Sequence, residues 1–152
     1  MLKKTMACLS IATLIFTMTE NMAQAQDAEP LISNPVQLVD MAARAAPAGV
    51  KVNFTMEVKA IGHLKDRIIL NSEEDYRDPK NISVDVYPTA EAELVHTLGN
   101  DLDPLIKGHR IRVQGTIKRV TVWFFEKGVK TDKYYYQTHI LVKNADQIKE
   151  IK

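Results

Sequence analysis

Apolar and polar residues change rhythm several times along this chain, and each rhythm implies a different element. Val52, Phe54, Met56 and Val58 alternate with Lys51, Asn53, Thr55, Glu57 and Lys59, the two-residue repeat of a half-buried strand. Gly62 and His63 then read as a bend, and a second apolar run spans Arg67 to Leu70. After a loop from Asn71 to Asn81, dense in turn formers and charge, Ile82, Val84 and Val86 alternate with Ser83, Asp85 and Tyr87 as a third strand ending at Pro88. A long fourth strand starts at His109, with Ile111, Val113 and Ile117 inward, and runs through Val120, Val122 and Phe124. Gly115 offers it a place to bend or bulge. Glu126 to Lys133, centred on Gly128, predicts a hairpin turn into a final strand from Tyr134 to Val142.

Two stretches carry a helical rhythm instead. Over residues 33–49, Ser33 or Asn34 supplies a cap, Pro35 suits the first turn, and Val36, Leu38, Val39, Ala42 and Ala43 form a thin apolar stripe before Pro47 and Gly49. A stripe so rich in alanine implies a helix lying on a larger body. Between the third and fourth strands, Thr89 is a cap, Ala92, Leu94, Val95 and Leu98 are apolar, and Gly99-Asn100 is the stop.

Three strands, a helix and two strands, with a glycine in the long fourth strand, spell a mainly β domain over residues 50–152. The expected architecture is a five-stranded OB-fold Greek-key barrel, with one end plugged by the helix between strands three and four and an N-terminal helix added. An antiparallel sheet with one packed helix is compatible with the same string.

Ahead of this body, Lys3 and Lys4 precede an apolar run from Thr5 to Met18, and a polar segment ends Ala23-Gln24-Ala25. The run falls short of the roughly 20 apolar residues of a membrane span and is followed by a small-x-small site, the pattern of a cleaved signal peptide over residues 1–25. The expectation is an exported protein beginning at Gln26, periplasmic or secreted, with a disordered lead-in over 26–32 and no membrane span after cleavage. Acylation at Cys8 is the weaker reading, since that cysteine sits inside the apolar run; an uncleaved anchor would export the same domain.

Composition adds little until it is divided. Without the leader no cysteine remains, so no disulfide can staple the fold, and 127 residues must rely on an apolar core. Residues 26–106 hold 7 basic and 14 acidic side chains, giving −7, while 107–152 hold 11 and 4, giving +7. Such a split marks either an anion-binding face or neighbouring strands whose charges pair across the surface.

The helix ending in Ala46-Pro47, the strand from Lys51 to Ile61, the segment Lys107-Gly108-His109-Arg110-Ile111-Arg112-Val113-Gln114-Gly115-Thr116-Ile117 and the closing Ala145-Asp146-Gln147-Ile148 together resemble bacterial exported OB-fold domains of the tRNA-anticodon-binding-like group. The resemblance covers most of residues 33–151. It implies oligonucleotide or other ligand binding on one barrel face, and its motifs are structural, silent on chemistry.

The strongest candidate site is the hairpin joining the last two strands. Trp123, Phe124 and Phe125 precede a turn carrying Lys127, Lys130 and Lys133, and Tyr134, Tyr135 and Tyr136 follow it; Arg112, Lys118 and Arg119 lie earlier on the strand. Bases stack on aromatic faces while lysine and arginine neutralise phosphate, so the ligand set is Trp123, Phe125, Tyr135, Arg112, Lys118, Arg119, Lys127, Lys130 and Lys133. The competing reading is structural: alternation sends about half of the six rings inward, Phe124 among them, and aromatic cross-strand pairs stabilise hairpins without any ligand.

Other chemistry is thinly supported. The acidic loop Glu73 to Asp78 has the donors for calcium but not the spacing of an EF-hand, and reads better as a solvated turn with Asp75 or Asp78 on nearby backbone and Arg77 paired locally. His63, His96, His109 and His139 show no zinc-ligand spacing. No Gly-x-Ser-x-Gly elbow or phosphate loop is present. The sequence therefore points to a non-catalytic exported binding protein without cofactor or metal, its partner a single-stranded nucleic acid or an anionic glycan. An envelope protein-interaction module is the second reading. The third is a calcium-dependent nuclease-like enzyme using Asp75, Arg77, Asp78 and Arg112.

Overall fold

The computed structural model describes residues 31–152; the leader and residues 26–30 of the predicted lead-in lie outside the described residues. Eight strands, three helices and a 3-10 turn follow in order. They are β1 (Leu31–Ile32), α1 (Pro35–Arg44), β2 (Val50–Glu57), β3 (Ala60–His63), β4 (Ile68–Asn71), β5 (Ile82–Val86), α2 (Pro88–Leu98), α3 (Asp103–Ile106), β6 (Arg110–Glu126), β7 (Val129–Val142), the turn Ala145–Gln147 and β8 (Ile148–Ile151).

The strands form one curled, mainly antiparallel sheet in the order β1-β2-β6-β7-β5-β4-β3, with β8 also on β6. β5 and β7 run parallel, with α2, α3 and β6 between them in the chain. β2, next to one end of this path, and β3, at the other end, are consecutive in sequence. At Val58 the chain still bonds the β6 side, its N–H donating to the His109 carbonyl at 2.9 Å; at Lys59 it has changed partner, its N–H donating to the Asn71 carbonyl of β4 at 2.9 Å. One kinked strand thus belongs to both ends of the sheet and curls it round a core.

This arrangement is compatible with the predicted barrel, but the strand count is eight and not five. The predicted first strand is split at Val58–Lys59 by that change of partner, and Gly62-His63, expected as a bend, are paired within β3. The two short outer strands were invisible to periodicity. Leu31 and Ile32, placed in the disordered lead-in, pair in parallel with Asn53 and Phe54, and β8 covers part of β6. The final strand starts at Val129 and not Tyr134, because the hairpin turn is only Lys127-Gly128, with φ of 50° and 81° at its two central positions. Positive φ at both is the type I′ pattern, whose twist matches that of the flanking strands.

The core follows the alternation. Val52, Phe54, Val58, Leu70, Ile82, Val84, Val86, Ile111, Val113, Ile117, Ile140 and Val142 are buried in one cluster. α1 is capped by Asn34, whose side chain accepts from the Val36 N–H at 3.0 Å, and it buries Leu38 and Ala42 against the sheet. α2 starts at Pro88 rather than Thr89, with no side-chain cap, so its buried face is Ala90 and Leu94 while Ala92 and Leu98 face solvent. Gly115 makes no bulge: it pairs in register with Val52. A Cβ there would meet the Ile140 side chain and the Gln147 amide at 3.0 Å, so any larger residue needs both side chains to give by a few tenths of an ångström.

Among the described residues no helix is long and apolar enough to cross a membrane.

Candidate nucleic-acid interface

β6 and β7 outrun the rest of the sheet. β2 pairs with β6 only as far as Ile117 and β5 with β7 only from Thr138, so the remainder of the two strands stands out as a two-stranded ribbon. Directly opposed residues share a face, and successive pairs along the same face are two residues apart. The buried pair Ile117–Ile140 is therefore continued by Arg119–Thr138, Thr121–Tyr136 and Trp123–Tyr134 on the face that extends the buried side of the sheet. Lys118–His139, Val120–Gln137 and Val122–Tyr135 continue the outer surface.

On the inner face the side chains make a continuous ladder. The Lys130 ammonium stands 3.5 Å from the centroid of the Trp123 ring. Trp123 and Tyr134 are 5.0 Å apart at 56°, Tyr134 and Tyr136 are 5.5 Å apart edge to face, and the Arg119 guanidinium lies 4.3 Å from the Tyr136 centroid. Three rings run in file between two cations. All three remain accessible: Trp123 is 36%, Tyr134 49% and Tyr136 47% exposed. Hydrogen bonding with Tyr136 is the first cause that raises the Tyr134 phenol above its ordinary value, with Arg119 opposing.

The predicted residues divide between the faces. Trp123, Arg119 and Lys130 come together on the ladder. Phe125, 62% exposed, pairs with Lys130 across an irregularity in the ribbon, and Lys127 and Lys133 are exposed around the turn. Tyr135 is on the other face, half-buried against Phe124 with ring centroids 5.4 Å apart, and desolvation is the main reason its phenol is raised. Lys118 is on that outer face beside His139. Arg112 is eleven residues up β6 from Trp123, about 36 Å of extended strand, where its Nε donates to the Asn53 side chain at 2.9 Å. That contact belongs to the β2–β6 seam and not to the ribbon.

The ligand set read from the sequence took Tyr135 from the hairpin's three tyrosines and left out Tyr134 and Tyr136. The signal in the register was partial: a turn at Lys127-Gly128 sets Asp132 opposite Trp123 with Tyr134 and Tyr136 further along the same face, and the irregularity between Trp123 and Phe125 then brings Tyr134 opposite Trp123. Phe124, assigned inward, is 46% exposed, since the ribbon has left the barrel and no core remains beneath it.

The acidic loop behaves as the solvated turn. Asp75 accepts from the Arg77 N–H at 2.9 Å and Asp78 from the Lys80 N–H at 2.8 Å, while Arg77 lies over the Tyr76 ring at 4.7 Å instead of pairing with an acid. No group of three or more histidine, cysteine or carboxylate side chains among the described residues is placed to hold a metal ion. His63 and His139 each sit against a carboxylate, Asp103 at 3.0 Å and Asp85 at 3.1 Å. Arg44–Asp40, Lys59–Glu73 and Arg67–Asp85 join residues of the acidic half to one another, whereas Arg119 and Lys130 of the basic half lie over rings.

No protein-family model matches the chain, and no curated protein does. Among solved structures it is similar to an aspartyl tRNA synthetase from Entamoeba histolytica, with a TM-score of 0.40 and 14% identity over 68% of this chain and 19% of that one. It is also similar to a Plasmodium falciparum SSB in complex with ssDNA, with a TM-score of 0.37 and 20% identity over 62% of this chain and 86% of that one. The chain spans about a fifth of the length of the synthetase.

Proposed function

We propose that this chain is an exported, non-catalytic OB-fold module that binds single-stranded nucleic acid on the inner face of its β6–β7 ribbon. The observation that carries this reading is the file Lys130, Trp123, Tyr134, Tyr136, Arg119, in which exposed rings are bracketed by cations at 3.5 and 4.3 Å. Bases stack on the rings, and the cations meet the phosphates on either side. Stacking is worth about 1–3 kcal/mol per base, so two stacked bases supply roughly 2–6 kcal/mol before any phosphate contact. A purely structural hairpin accounts for the ring pairs but not for their exposure or for the two cations at the ends of the file.

Trp123 is the only tryptophan, so its fluorescence reports on the ladder alone. Titration with single-stranded oligonucleotides is expected to quench it and to weaken steeply with salt, because displaced counterions drive the association. Sulfated glycans in the same panel discriminate the competing ligand class. A flat response to every oligonucleotide at low salt overturns the reading. For export, N-terminal sequencing of the processed protein is expected to begin at Gln26, and retention of Met1 to Ala25 on the soluble product overturns that part.

A further inference from the structure

Gln137, on the outer face of the ribbon, stands between two groups that fix how its side chain points. The amide nitrogen donates to the Tyr76 carbonyl in the loop between β4 and β5 at 3.3 Å and to the Tyr135 hydroxyl at 3.2 Å, while the amide oxygen faces His139 Nε2 at 2.8 Å. A backbone carbonyl can only accept, so Tyr76 takes the nitrogen and the oxygen is left for His139. On the other side of the ring, Nδ1 lies 3.1 Å from both oxygens of Asp85. Both ring nitrogens therefore face acceptors and both donate, which only an imidazolium can do. Around it, Asp85 on β5 is the carboxylate in contact with the ring, and Arg67, ahead of β4, reaches Asp85 at 3.7 Å and Asp66 at 3.2 Å. Lys118 is the cross-strand neighbour on β6, and Ser83, the neighbour on β5, is taken up by Asn71 and Asn81. Lys118 and Arg67 favour loss of the proton, whereas Asp85 and the Gln137 oxygen favour its retention.

We infer that His139 and Gln137 form a proton-operated clamp, in which the proton on Nε2 decides whether the loop is tied to the ribbon. Loss of that proton leaves the ring one N–H, which stays at Nδ1 because a carboxylate is the stronger acceptor. Nε2 then sets a lone pair against the Gln137 oxygen. The amide relieves this by turning over, so that its nitrogen donates to Nε2 and its oxygen faces Tyr76. The Tyr135 hydroxyl is donor and acceptor both and serves either orientation. The Tyr76 carbonyl does not, since it loses its donor from β7 and meets an oxygen instead. Asn81 still holds the loop to β4 and β5, and Arg77 still bonds Tyr135, so the loop slackens on the ribbon without unfolding. The bistable element is the amide and the bias is one proton. The tie holds where the ring is charged and is lost as pH rises. The inner ladder takes no part, so the inference stands whatever binds there.

The test is NMR of the purified protein from about pH 5 to about pH 9, a span that brackets histidine titration. Ring nitrogen shifts are expected to show both His139 nitrogens protonated at the acid end and a proton on Nδ1 alone at the alkaline end. Amide exchange at Asp78 and Asn81, corrected for its intrinsic pH dependence and taken relative to Ile140, rises about fivefold over the same span, the share of one hydrogen bond. Gln137→Leu exchanges at the faster rate throughout, and His139→Gln shows no step with pH. The ring shifts of the unaltered protein decide the matter if either variant does not fold. A ring whose protonation does not change over the span overturns the inference, as does a proton left on Nε2 rather than Nδ1. Loop exchange without a step, or a step that persists in His139→Gln, overturns it equally.

Discussion

Lys130 holds its ammonium 3.5 Å from the centroid of Trp123, from the opposite strand of a ribbon with no other sheet beneath it. A cation over an exposed ring is worth about 0.5–1 kcal/mol, a contact strong enough to order both side chains and weak enough to be exchanged for a phosphate. Lys130→Gln is therefore expected to leave the fold within about 1 kcal/mol of wild type in urea. For oligonucleotide binding, the slope of log affinity against log salt falls by about 0.7, the share of one phosphate contact on a single strand. An unchanged slope assigns Lys130 to Trp123 alone.

The two faces of the ribbon give opposite expectations for neighbouring tyrosines. Tyr136 lies on the ladder under Arg119, and Tyr136→Ala is expected to cost about 1–3 kcal/mol of oligonucleotide affinity. Tyr135 packs on Phe124 on the outer face, so Tyr135→Ala leaves that affinity unchanged. Fluorescence titration of the two variants at one salt concentration checks both. A larger loss from Tyr135 than from Tyr136 moves the site to the other side.

Much of the curled sheet was legible because burial and alternation coincide there. From Val52 to Val58, Ile82 to Val86 and Ile111 to Ile117, every second residue faces one core, and the two-residue rhythm reports it. The pattern fails where pairing is decided by distant partners. Nothing local says that Val58 bonds β6 while Lys59 bonds β4, or that Leu31-Ile32 finds an edge on β2. The composition of the hairpin was legible, but its faces were not. They hang on whether Ile117 or the run Val120, Val122 and Phe124 sets the inward register, since turns of two residues and of eight both put Trp123, Tyr134 and Tyr136 on one face. A turn misplaced by an odd count turns every ring to the wrong side.

Tyr134 ties the ladder to pH. Its phenol is held above the ordinary value of about 10, first by hydrogen bonding with Tyr136 and then by the same residue's charge. Raised in the folded state, the group favours folding through its protonated form. That contribution is complete below the unfolded value and is lost as pH climbs through the folded one. Alkaline absorbance titration is expected to show Tyr134 ionising later than free tyrosine, and Tyr136→Phe returns it toward 10. Tyr135, raised chiefly by burial, does not respond to Tyr136→Phe, so the difference between the two titrations isolates the hydrogen-bonded pair. Identical curves for wild type and Tyr136→Phe contradict the coupling.

The loop that seats on the ribbon depends on Asn81, which is 3% exposed. Its amide donates to the Asn71 side chain and to the Ser83 hydroxyl, both at 3.0 Å, and its carbonyl oxygen accepts from the Glu73 N–H at 3.1 Å. Asn81 thus bonds to the end of β4, to β5 and to the second residue of the loop beyond β4. Asn81→Leu keeps the volume but strips these partners in a buried place, a change expected to cost about 2–3 kcal/mol in urea unfolding. Hydrogen exchange should then quicken over residues 72–81 while Ile111, Val113 and Ile140 in the core keep their protection. Oligonucleotide affinity on the inner ladder holds in this variant, since the loop meets the ribbon on its outer face through Gln137. Loss of that affinity together with the loop's protection shows that the loop supports the entire ribbon rather than its outer face.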